Sequence, residues 1–120
     1  MTVRNLAAAR LHERYEQLRA NGELGGSSRL FELQKLSTAC LKELSGQQRL
    51  TAFVIASLFQ KLAERYSGEA ILATDAEATL EGLHPYIIRV LQYMNSDVGE
   101  LQATRLLVEL VDSFGERYAK

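Results

Sequence analysis

Between Ser45 and Gly68, the residues Leu50, Phe53, Val54, Ile55, Leu58, Phe59 and Leu62 recur at spacings of three and four. That period belongs to a helix, because a strand would alternate every second residue. Wound on a helix, these side chains cover more than half the circumference. A helix over about Gln47–Tyr66 is therefore expected to be buried all round and to sit at the centre of the fold. Ser45 and Gln48 have the spacing of a capping box at its start, and Ser67-Gly68 ends it.

The rest of the chain divides in the same way. A first helix is expected over about Thr2–Ala20, with Leu11, Tyr15 and Leu18 on one stripe and Asn21-Gly22 as its stop. A second spans about Ser28–Leu44, with Leu33, Leu36, Cys40 and Leu44 on its stripe and Ser27 or Ser28 as its cap. Thr74 and Glu77 have capping-box spacing ahead of a short helix over about Asp75–Glu81, stopped by Gly82. His84-Pro85 suits the first turn of another helix, Tyr86–Met94, carrying Ile87, Val90, Leu91 and Met94. The last helix is expected to start at Ser96 or Asp97, with Asp97 and Glu100 complementing its dipole and Leu107, Val111, Phe114 and Tyr118 as its core stripe. No segment alternates with period two and β-branched enrichment. The expected fold is all-α: a single-domain bundle of five or six helices over residues 1–120. A hydrophobic content of 47% and a charged content of 24% suit one packed core and argue against disorder.

The tripeptide Glu-Arg-Tyr occurs at 13–15, 64–66 and 116–118. That interval is compatible with a duplicated helical unit. Local physics is a sufficient explanation for two of the copies, since arginine suits a helix C-terminus and tyrosine joins an apolar body to a wet tip.

Chemistry-bearing residues are sparse. The two histidines, His12 and His84, stand in different segments, and no spacing supplies the three or four converging ligands of a metal site. No cofactor or metal is expected. His84 before Pro85 reads as a cap or a solvated side chain, and His12 beside Glu13-Arg14 as an exposed one. Cys40 lies on the apolar stripe of its helix, where a thiol behaves as a small hydrophobe. Carboxylate pairs such as Glu77 and Glu81 read as a solvated helix face. No glycine-rich phosphate loop follows a strand. The expectation is a chain that is not an enzyme.

The single cysteine allows no internal disulfide, which fits a reducing, cytoplasmic setting. The longest wholly apolar run, Ala52 to Ala56, is far short of a membrane span, and Arg10 interrupts the N-terminal apolar stretch. Residues 1–66 carry 10 basic and 6 acidic side chains, and residues 67–120 carry 4 and 9. Such a split lets unlike halves attract, within one molecule or between two.

The expected function is a small protein–protein interaction module: an adaptor, regulator, inhibitor or assembly factor that self-associates as a homodimer. The contact element is expected in the C-terminal helix, whose Leu106, Leu107, Leu110, Val111, Phe114 and Tyr118 exceed one core stripe. On this reading Leu110→Glu should dissociate the dimer and leave the helices intact. Arg10 and Arg14, one turn apart, are candidate contacts for an acidic partner. The alternative is a nucleic-acid-associated subunit using the basic first half. The segment after Ser67-Gly68, however, carries Glu69, Asp75, Glu77 and Glu81 and no cation through Glu81, which phosphates would repel.

Overall fold

A computed structural model describes residues 6–67, 70–95 and 100–118. It contains five helices: α1 (Leu6–Ala20), α2 (Ser27–Cys40), α3 (Gly46–Arg65), α4 (Ala70–Met94) and α5 (Glu100–Tyr118). No strand occurs among the described residues. The α3 helix packs against α2, α4 and α5, and α1 closes the bundle against α2 and α4. One cluster of buried side chains runs through all five, from Leu11, Tyr15 and Leu18 through Leu33, Phe59 and Leu62 to Leu83, Ile87 and Leu110.

The first helix ends as Asn21-Gly22 predicts. Gly22 sits at φ +69°, its N–H donates to the Arg19 carbonyl at 3.1 Å, and Glu23 N–H donates to the Leu18 carbonyl at 2.8 Å. This pair of bonds is a Schellman motif, and the left-handed position favours glycine. The start signals are less well obeyed. The N-cap of α2 is Gly26, with neither Ser27 nor Ser28 in that role. Ser45 is the N-cap of α3 but makes no side-chain cap bond. Gln48 instead donates from Nε2 to the Tyr93 carbonyl at 3.3 Å, tying the start of α3 to the end of α4. Thr74 and Glu77 lie inside α4 and not at the start of a helix. Asp97 falls outside the described residues. The second helix stops at Cys40, four residues early, and a turn carries Leu44 back into the core.

The larger correction concerns α4. Gly82 does not stop a helix and Pro85 does not start one; a single helix of 25 residues runs through both. Ala76, Leu80, Leu83, Ile87, Val90, Leu91 and Met94 fall on one continuous face, all essentially buried. Breaking the helix at Gly82 would take half of that stripe out of register. Proline inside a helix costs about 3 kcal/mol, whereas each large apolar side chain buried contributes about 1.5–3 kcal/mol. Pro85 and Glu81, whose carbonyl loses its partner, both lie on the exposed side, where water can satisfy that oxygen. Pro85→Ala restores the bond and should raise stability by about 1–2 kcal/mol, after allowance for the freer unfolded chain. Urea denaturation followed by circular dichroism measures it.

Two faces also differ from expectation. The third helix is not buried all round: Leu50 is 48% and Phe53 57% exposed. On α5, Leu110 is fully buried and Leu106 and Phe114 pack against the core, while Val108 and Val111 are 52% and 48% exposed. The expected division of α5 is thus partly inverted. The stripe Leu106–Leu110–Phe114, with the small Ser113 beside it, faces inward.

Candidate surface site

Four exposed apolar side chains gather on α3 and α5. Gln47 Nε2 donates to Thr104 Oγ1 at 3.3 Å, which ties the first turn of α3 to the second turn of α5. The α4 helix runs antiparallel to α3, since Gln48 meets Tyr93 near one end and Tyr66 Oη meets Thr79 Oγ1 at 3.1 Å near the other. It is also antiparallel to α5, to which a short connection joins it and where Arg89 Nη1 donates to Glu109 Oε2 at 3.4 Å. Helices α3 and α5 therefore run side by side in the same direction. One to two turns beyond the Gln47–Thr104 contact come Leu50 and Phe53 on α3, and Val108 and Val111 on α5. Half-buried Val54 and Leu107 lie at the same level. Exposed apolar side chains on neighbouring helices are a common mark of an interaction surface.

Of the six interface residues expected on α5, Val111 and Leu107 reach this face. Leu110 is unavailable because it is buried within the chain, and Leu106 and Phe114 are largely turned inward. The side chain of Tyr118 lies outside the described residues. Leu50 and Phe53, which the sequence pattern places in the core, are exposed instead. Their signal was the excess apolar width of the Leu50–Leu62 stripe, which a helix with three helical neighbours does not wholly bury.

Arg10 and Arg14 line a groove of about 330 Å³ along α1, together with Leu6, Ala9, Glu13 and Gln17. Arg14 is already engaged: its Nε and Nη2 donate to the two carboxylate oxygens of Glu32 on α2, the second at 3.2 Å. This bidentate contact holds the Glu32 carboxyl below its ordinary range. Arg19 likewise forks onto Glu81 at 2.9 and 3.0 Å, and Arg29 pairs with Glu23 and Glu32. Three arginines of the basic first half are thus neutralised in place.

The most chemically distinctive contact joins α1 to α4. Tyr15, fully buried, stacks at 5.8 Å on the His84 ring, and its hydroxyl meets His84 Nδ1 at 2.8 Å. His84 is therefore neither a helix cap nor simply solvated. It sits inside α4, half-buried, and with Tyr15 forms a satisfied polar link in the core. Burial pushes the Tyr15 phenol above its usual range, so it does not serve as an acid near neutral pH. Burial, and secondly Arg19, lower the His84 pKa, with Glu81 and Glu16 opposing. Below the ordinary value of 6.5, the unfolded chain then takes up a proton before the folded chain does. Stability should fall as the pH drops below about 6.5, and His84→Gln, which keeps an acceptor for Tyr15, should flatten that slope. Thermal melts across this range check it.

His12 is partly buried, with Nε2 2.6 Å from Glu16 Oε1. Cys40 is buried, donates weakly to the Leu36 carbonyl, and has its thiol pKa pushed up to about 11 by desolvation. A thiol so protonated is a poor nucleophile. No group of three or more metal-ligating side chains converges among the described residues. No helix among them is long and apolar enough to cross a membrane.

Two copies of Glu-Arg-Tyr can be compared, and they occupy unlike places. Tyr15 lies mid-helix in the core, whereas Tyr66 caps the end of α3 with Arg65 stacked on its ring at 5.8 Å. Comparison of the chain with protein-family models, with curated proteins and with solved structures returns no match.

Proposed function

We propose that this chain is a non-enzymatic protein–protein interaction module whose working surface is the exposed apolar face of α3 and α5. The observation that carries the reading is the placement of Leu50, Phe53, Val108 and Val111 side by side, each about half exposed to water. A helix pair that spends four large apolar side chains on solvent gains little from them as a monomer and gains their burial on binding. The polar contacts between helices read as structural: Tyr15 with His84 and the arginine–glutamate forks each join two helices. The single buried cysteine fits a reducing compartment, and the cytoplasm is the proposed location. A nucleic-acid role has less support, because Arg14, Arg19 and Arg29 are each held by a glutamate.

The test compares wild type with Phe53→Asp/Val111→Asp. Immobilised wild type should retain a polypeptide from an extract of the source cell, the complex should re-form from purified components, and the double variant should lose it. Equal retention by both forms would sink the reading.

A further inference from the structure

We infer that the occupant of the α3–α5 face is a second copy of this chain, docked across a two-fold axis perpendicular to the helices. The inference rests on the interaction reading above and names its partner. What singles out a second copy is a charge pattern that complements itself. On the solvent side of α5, Arg105, Val108, Asp112 and Glu116 follow one another at spacings of three and four, all exposed. The stripe is basic at its start, apolar in the middle and acidic at its end. Arg105 and Glu116 stand three turns apart, about 16 Å along the axis, and neither has an ion-pair partner among the described residues. They cannot satisfy one another within one chain. Laid antiparallel on a second α5, Arg105 of each copy meets Glu116 of the other, with Asp112 one turn away.

The midpoint of that pairing falls between Leu110 and Val111. Side by side with α5, residues of α3 lie level with residues 57 positions later, the separation set by the Gln47–Thr104 contact. The level of Leu110 is therefore that of Phe53, the most exposed of the four apolar side chains on this face. One axis thus pairs the charges of α5 in both directions and brings the two Phe53 rings together at the centre. Desolvated aromatics at the centre with polar pairs at the rim is the usual layout of a stable contact. Val108 and Val111 of both copies fill the space between.

Sedimentation equilibrium on the full chain tests this. Wild type should give twice the 13.4 kDa monomer mass. Phe53→Asp should be monomeric with an unchanged far-ultraviolet helical signal. Arg105→Glu and Glu116→Arg each place like charges at both rims and should raise the dissociation constant about tenfold at low salt. The double variant Arg105→Glu/Glu116→Arg should recover most of the loss, because the pairs re-form with their signs exchanged. Recovery cannot come from within one chain, given the separation of the two positions. A wild-type monomer at high protein concentration overturns the inference, as does a double variant whose loss equals the sum of the singles. If the wild type is monomeric while capture still depends on Phe53 and Val111, the second copy is excluded and the interaction reading stands. If capture is independent of that face, both fall.

Discussion

Phe59→Ala is expected to lower stability by about 3–5 kcal/mol, and Tm by on the order of 10–20 °C. Phe59 is fully buried on the side of α3 that faces the bundle, and its ring lies 6.4 Å from that of Tyr15, tilted at 43°. Truncation removes the apolar area of the ring and leaves a cavity that three helices cannot close together, since each is held elsewhere. The Tyr15–His84 link also loses the surface against which Tyr15 is wedged. Domains of this size have about 5–15 kcal/mol in total, so the loss is a large fraction of it. Phe53→Ala is the control on the same helix: with Phe53 57% exposed, its cost in the monomer should stay below about 1 kcal/mol. A pair of urea titrations with similar slopes distinguishes them. Equal losses at both positions would mean that α3 is rotated from the orientation described.

The existence of the helices was legible in the sequence because apolar spacing of three and four, sustained over several turns, has only one regular solution. The fusion of two expected helices into α4 was hidden by Gly82 and Pro85, both genuine punctuation in isolation. Tertiary burial of the face from Ala76 to Met94 outweighs them. The capping boxes failed for a related reason. Spacing of Ser45 and Gln48 permits the bond, but Gln48 finds the Tyr93 carbonyl across the bundle instead. His84 reads in sequence as a residue ahead of a helix start. Its link to Tyr15 depends on a contact between positions 69 residues apart, which spacing cannot reveal. The proposed interaction face was half legible: the surplus of apolar residues on α3 and α5 was evident, but which stripe of each faces inward was not.

Leu110→Glu sharpens that last point, because its outcome depends on how α5 is rotated. Read from sequence, Leu110 flanks the core and a charge there dissociates a dimer. In the structure it is fully buried, with Leu106 and Phe114 packed beside it against the core. A glutamate at this site must bury its carboxylate without a partner, take up a proton, or detach α5 from α3 and α4. Each route costs several kcal/mol, and detachment also exposes the apolar surface that α5 covers. Leu110→Glu should therefore lose the cooperative melt or lower Tm by more than Phe59→Ala does, with a reduced helical signal at 25 °C. Val111→Glu, one residue further on, puts the same charge on a side chain that is 48% exposed. It should keep a cooperative melt and the helical signal while abolishing the proposed association. Circular dichroism melts and sedimentation on the two variants read both quantities. A folded Leu110→Glu beside an unfolded Val111→Glu would place the core stripe of α5 on Leu107, Val111 and Phe114 after all, and would move the proposed contact surface with it.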